Sequence, residues 1–147
     1  MKKNLKIAIA SDHAGFQLKS NLIQYLKEQS ILVEDFGTFN ESSVDYPDFA
    51  HPLAISIENN EANFGIAICG SGNGINITVN KHQKIRAALC WNSQIAEFAR
   101  LHNDANICSL PARYISVNDA FEIIDAFLNT EFEGGRHQLR INKISIG

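Results

Sequence analysis

The sequence predicts an α/β fold, a three-layer α/β/α sandwich around a five-stranded parallel sheet. Two observations carry that expectation. Strand-length apolar runs alternate along the chain with segments whose apolar residues recur at helical spacing. The residues best suited to chemistry directly follow the runs, where functional loops of an open parallel sheet collect.

In chain order, Leu5 to Ala10 is the first strand candidate, and Leu18, Leu22, Tyr25 and Leu26 then lie on one helical stripe. Ile31 to Phe36 is the second strand. Thr38 to Pro47 carries turn formers without periodicity and reads as a loop, followed by a helix whose first turn accommodates Pro52. Phe64 to Cys69 and Ile85 to Cys90 are the third and fourth strands. Ile95, Phe98, Ala99 and His102 mark the next helix, ahead of the fifth strand, Ala105 to Leu110. Ser116 can cap the last long helix while Asp119 closes a capping box, with Ala120, Phe121, Ile124, Phe127 and Leu128 as its core face. Beyond Glu133 runs a tail in which Arg136 and Arg140 stand one helical turn apart, on a helix started after Gly134-Gly135. Right-handed crossovers between such parallel strands give a Rossmann-like sheet covered on both faces.

The chain has 147 residues, 45% hydrophobic and 20% charged, which fits a single domain over 1–147 that buries its own core. Apolar runs such as Phe64 to Cys69 and Ile85 to Trp91 are too short to cross a bilayer. Met1-Lys2-Lys3 is basic, but Lys6 interrupts the apolar residues after it and no leader-peptide pattern appears, so a cytoplasmic protein without membrane partners is expected. A formal charge of -3 argues against a general nucleic-acid binder, whereas Arg136, His137, Arg140 and Lys143 cluster near the C-terminus and point to one bound anion. Cys69, Cys90 and Cys108 are odd in number and widely spaced, indicating neither a disulfide framework nor a zinc site.

Ser11-Asp12-His13-Ala14-Gly15 follows the first strand and opens a helix, whose free amides and dipole favour an anion such as a sugar phosphate. A plain helix cap at Asp12 with a solvated His13 explains the same residues. Cys69-Gly70-Ser71-Gly72-Asn73-Gly74 follows the third strand, and its glycines let backbone amides approach a ligand closely. Its G-x-G-x-G spacing is neither the dinucleotide fingerprint nor a P-loop. A thiol at a strand end facing a helix N-terminus is placed to serve as a base or nucleophile. Cys90 and Cys108 lack such loops and read as small buried hydrophobes. His102 ends an apolar stripe where a polar tip can face a cleft. Arg136 and Arg140 can grip a phosphate or simply form a solvated basic face. His51 and His82 show no special setting, and no His, Asp and Glu group has a spacing that implies metal ligands, so no metal or other cofactor is expected.

The chain resembles the type B ribose-5-phosphate isomerases and their relatives that isomerise allose and galactose 6-phosphates. The resemblance rests on Ser-Asp-His-Ala-Gly at 11–15, Asp45-Tyr46-Pro47, Cys-Gly-Ser-Gly-Asn-Gly at 69–74, Asn80-Lys81, Ile85-Arg86-Ala87, His-Asn-Asp-Ala-Asn at 102–106 and Glu-Gly-Gly-Arg-His-Gln at 133–138. It implies that Cys69 shuttles a proton between C1 and C2, that Asp12 and His102 assist ring opening, and that Ser71 with the amides of Gly70, Gly72, Asn73 and Gly74 stabilises the enediolate. It also implies that His13, Arg113, Arg136 and Arg140 hold the phosphate, and that Tyr46 and Asn103 contact the sugar. The site would be shared between subunits of a homodimer or dimer of dimers, with the tail, about 133–147, at their interface. Ser71 stands where many members have threonine and keeps the hydroxyl. Members without the cysteine use a carboxylate a few residues later; position 75 is Ile, which leaves Cys69 as the base.

The expected activity is therefore aldose-ketose isomerisation of ribose 5-phosphate and ribulose 5-phosphate, a step of the pentose phosphate pathway. Preference for allose or galactose 6-phosphate is the runner-up. A non-catalytic flavodoxin-like ligand-binding module and a nucleotide-binding stress-type domain are the readings from other classes.

Overall fold

The computed structural model describes residues 4–146; Met1 to Lys3, which bear on the leader-peptide reading, and Gly147 at the end of the tail lie outside the described residues. Five strands alternate with helices: β1 (Lys6–Ser11), α1 (Phe16–Glu28), β2 (Leu32–Asp35), α2 (Pro47–Glu58), β3 (Phe64–Cys69), α3 (Asn73–Val79), β4 (Ala87–Leu89), α4 (Ser93–Asn103), β5 (Ile107–Pro111), α5 (Val117–Asn129) and α6 (Arg136–Ile141). All neighbouring strands pair in parallel, in the order β2-β1-β3-β5-β4. The predicted three-layer architecture is therefore present, with β5 inserted between β3 and β4.

The alternation of side chains along each strand divides the core in two. Ile7, Ile9, Ile66, Ile68 and Leu110 pack with residues of α1, α4 and α5. On the opposite face Ala8, Ala10, Ala67 and Cys69 meet Leu53, Ala54 and Ile57 of α2 and Ile75 and Val79 of α3. Small residues at 8, 10 and 67 let α2 lie close to the sheet, and the site cysteine belongs to this second layer. No helix among the described residues is long and apolar enough to cross a membrane.

Local chemistry explains most element ends. The Ser116 hydroxyl accepts from the Asp119 N–H while the Asp119 carboxylate accepts from the Ser116 N–H, each at 3.0 Å, so the capping box forms as expected. At the sheet edge, the Asn80 amide accepts from the Ala87 N–H (2.9 Å) and donates to the Ala87 C=O (3.0 Å). It thereby occupies backbone groups that an open edge would expose, and β4 is shorter than the apolar run that announces it.

Three details differ from expectation. The α2 helix begins at Pro47, so Pro52 lies inside it rather than in its first turn. Pro52 and Asp48, four residues before it, are both exposed, and water can take the carbonyl that a prolyl nitrogen leaves unpaired. In α4 the buried positions are Ala96, Ala99 and Arg100, while Phe98 and His102 flank the packed face. Phe121 of α5 likewise lies to one side and stacks on Tyr25 of α1, ring centroids 4.0 Å apart.

Candidate active site

The chain leaves β1 to cover one face of the sheet with α1 and leaves β3 to cover the other with α3, and β1 and β3 are neighbours. Their carboxyl ends thus flank a topological switch point, where a crevice opens. A cavity of about 350 Å³ lies there, lined by Asp12, Tyr46, Cys69, Gly70, Ser71, Gly74, Arg113 and Tyr114.

Asp12 follows β1 and is buried. One carboxylate oxygen accepts from the Gly15 N–H at 3.1 Å, capping a single 3₁₀ turn at His13–Gly15. The capping interpretation is therefore satisfied, and the same side chain also lines the cavity. His13 is not part of the cavity lining; its Nδ1 accepts from the Val44 N–H at 3.1 Å. A neutral His13 consequently carries its proton on Nε2.

The glycine-rich turn is shaped by what glycine leaves out. Gly72 has φ 78°, and a Cβ there would fall 2.4 Å from the Leu89 Cδ1. Gly70 leaves room for the guanidinium of Arg113, whose nearest side-chain atom would stand 3.1 Å from a Cβ, and the Arg113 N–H donates to the Gly70 C=O at 3.0 Å. Ser71 Oγ accepts from the Asn73 N–H at 3.2 Å, tightening the entry to α3. Gly74, in the first turn of α3, lines the cavity, so the helix N-terminus whose free amides favour negative charge borders it.

Cys69 ends β3, is almost fully buried, and presents to this cavity. Cys90 and Cys108 are buried away from it, and burial first, then Cys90, pushes the Cys108 thiol well above its ordinary value. Their assignment as structural thiols stands.

The remaining expected site residues lie elsewhere on the chain. The α4 helix starts beyond the carboxyl end of β4 and returns to the amino end of β5, carrying His102 and Asn103 toward the amino ends of the strands, whereas Cys69 stands at the carboxyl end of β3. That separation is roughly the length of a six-residue strand, on the order of 20 Å. Asn103 borders a second cavity of about 320 Å³ with Arg86, Asn80 and Ile144. Arg136 and Arg140 are exposed on α6, which packs against α4. His102 stacks on Phe98 at 4.9 Å and on His137 at 4.3 Å between ring centroids.

Two groups escaped the sequence reading. Tyr114 lines the first cavity beside Arg113, and only its place directly after the fifth strand hinted at it. Glu133 and His137 join His102 in a cluster whose ligand atoms lie within 4.8 Å of one another, although the sequence showed no metal-ligand spacing. The four-residue interval from Glu133 to His137 was the available signal. Burial, then the charges of His102 and Arg136, holds the His137 imidazole below its ordinary value.

The fold is thus an α/β protein in which a cysteine, a carboxylate and an arginine gather over a glycine-rich helix entry at the switch point of a parallel sheet, a set of groups suited to acid-base chemistry on an anionic ligand. The chain belongs to the ribose/galactose isomerase family, which matches residues 7–144. It is 40% identical to ribose-5-phosphate isomerase B of Escherichia coli over 140 residues, 95% of this chain and 94% of that one. Its fold matches the crystal structure of a ribose 5-phosphate isomerase from Thermotoga maritima with a TM-score of 0.95 and 54% identity, covering 96% and 97% of the two chains. It likewise matches ribose-5-phosphate isomerase B of Mycoplasma genitalium with bound ribulose-5-phosphate, at TM-score 0.90 and 40% identity over 95% and 93%.

Proposed function

We propose that this chain is a ribose-5-phosphate isomerase, interconverting ribose 5-phosphate and ribulose 5-phosphate by ring opening and proton transfer through an enediolate. The observation that carries the reading is the switch-point cavity in which Cys69 meets Asp12, Arg113 and the amides of the glycine-rich turn. The family and the activities of these relatives support the same substrate.

In the first step the Asp12 and His102 pair opens the furanose: one withdraws the proton of the C1 hydroxyl while the other delivers a proton to the ring oxygen. The Cys69 thiolate then removes the proton from C2, and the electron pair moves onto the carbonyl oxygen. Ser71 and the amides of Gly70, Gly72, Asn73 and Gly74 stabilise that developing oxyanion. The thiol returns its proton to C1, and the proton of the C2 hydroxyl passes to the C1 oxygen, leaving the ketose. His13, Arg113, Arg136 and Arg140 hold the phosphate while Tyr46 and Asn103 contact the sugar. The phosphate is remote from the reacting carbons, so its binding energy serves to orient the open chain against Cys69.

Because His102, Asn103 and α6 lie across the sheet from Cys69, we infer that each site takes Cys69 from one subunit and His102, Asn103, Arg136 and Arg140 from another. The chain then acts as one domain in a homodimer or dimer of dimers, with the tail at the interface. In this reading it serves the pentose phosphate pathway in the cytoplasm and needs no cofactor. Turnover of the purified protein on ribose 5-phosphate and on allose 6-phosphate tests the assignment. Faster turnover of the pentose is expected; equal or faster turnover of the hexose, or none of either, contradicts it.

A further inference from the structure

We infer that His102, Glu133 and His137 form a binding site for a borderline divalent cation such as zinc, and that occupying it inhibits the isomerase. Two imidazoles and one carboxylate form a donor set that suits zinc or cobalt rather than magnesium or calcium. Their ligand atoms all lie within 4.8 Å of one another. Tetrahedral zinc with bonds of about 2.0–2.2 Å holds its ligands roughly 3.4 Å apart, so the cluster must tighten by somewhat more than an ångström.

The parts of the cluster are suited to that closure. His137 is the fixed member, a buried residue of α6 with its ring stacked on His102. Its Nε2 is shielded from solvent and has no hydrogen-bond partner, although such buried groups ordinarily find one. The Glu133 carboxylate stands 4.0 Å from that nitrogen and 3.9 Å from the His102 Nε2, a distance for ion pairing but too long for hydrogen bonds. Glu133 is 46% exposed and His102 37%, so both side chains can swing toward His137 without disturbing the core. Three protein ligands leave a fourth position for water. Arg136 and Arg140 on the same helix oppose a cation there, and the Glu133 charge offsets part of that repulsion.

A cation bound to the His102 Nε2 takes the lone pair that proton transfer in ring opening requires. The inhibition therefore rests on the role proposed for His102, whereas the binding does not.

Cobalt(II) titration of the Cys69→Ala protein tests binding with no catalytic thiolate to compete. Visible d–d absorption without a thiolate charge-transfer band is expected, displaced by zinc. Glu133→Gln, an exposed change that spares the fold, should weaken cobalt binding at least about tenfold, as should His137→Ala if its melting curve stays cooperative. In the enzyme with Cys69 intact, zinc should inhibit, a chelator should restore full activity, and Glu133→Gln should raise the inhibitory concentration by the same factor. Absence of the cobalt spectrum, or a spectrum unchanged by Glu133→Gln, overturns the site. Binding that passes these tests without inhibiting overturns the inhibition and the role of His102, and leaves the metal site standing.

Discussion

Tyr46 occupies the space that a side chain at position 74 would fill: a Cβ on Gly74 would lie 2.5 Å from the tyrosine Cζ and 2.6 Å from its hydroxyl. Tyr46 stands at the N-cap position just before α2 and Gly74 lies in the first turn of α3, so this contact couples the two helices that cover the site face. Gly74→Ala must push the half-exposed ring out of the cavity. We expect KM for ribose 5-phosphate to rise about tenfold, or about 1.4 kcal/mol of lost binding, with little change in thermal midpoint. An unchanged KM would show that Tyr46 does not contact the sugar.

Cys69→Ala should lose about a hundredfold or more in turnover while melting cooperatively, because a methyl group fits the site but accepts no proton. Turnover and melting should be measured on the same sample. Iodoacetamide should label Cys69 in the folded wild type and spare Cys90 and Cys108, which are wholly enclosed. Retention of more than about a tenth of the activity would assign the base elsewhere.

Stability should depend on a buried ion pair beside the site. The Lys19 side chain is 1% exposed, and its ammonium donates to both Asp35 carboxylate oxygens at 2.7 Å and lies 5.4 Å and 5.5 Å from the ring centres of Phe16 and Phe39. Asp35→Asn leaves that charge buried without its counter-ion. We expect a loss of about 3 kcal/mol in urea unfolding, at the low end for buried pairs because Asp35 is partly exposed. A loss below about 1 kcal/mol would show that water reaches Lys19.

Tyr25 provides a pH-dependent contribution. Burial first, then its hydrogen bond to Asp125 and the Asp125 charge, raises its pKa above the ordinary 10.0. A raised folded-state pKa means stability that is whole below pH 10 and is lost as pH climbs through the folded value. Tyr25→Phe should therefore flatten the alkaline fall in urea midpoint. An identical fall in both proteins would exclude Tyr25 as its source.

The parts of this molecule that were legible in its sequence are those set by neighbouring residues. Ser116 and Asp119 announce their capping box because both partners sit within one helical turn. Cys69 and Asp12 announce themselves because one ends an apolar strand and the other directly follows one. Strand order was not legible, since β5 inserts between β3 and β4 through pairings that no local pattern encodes. Pro52 misplaced the start of α2 because the exposure that excuses an internal proline is a property of the packed helix. The meeting of His102 with Glu133 and His137 required the tail to fold back on α4, again a tertiary event.

If two chains build each site, Cys69 coming from one and His102 from the other, two inactive variants should complement each other. Cys69→Ala and His102→Ala proteins should be mixed, unfolded and refolded together, with mixed dimers confirmed by native mass measurement. Half of the randomly formed dimers are mixed, and each mixed dimer carries one intact site of two. Isomerase activity should therefore return to about a quarter of wild type under two-fold symmetry. A mixture that contains mixed dimers and stays inactive would contradict subunit sharing and return Cys69 and His102 to the same chain's site.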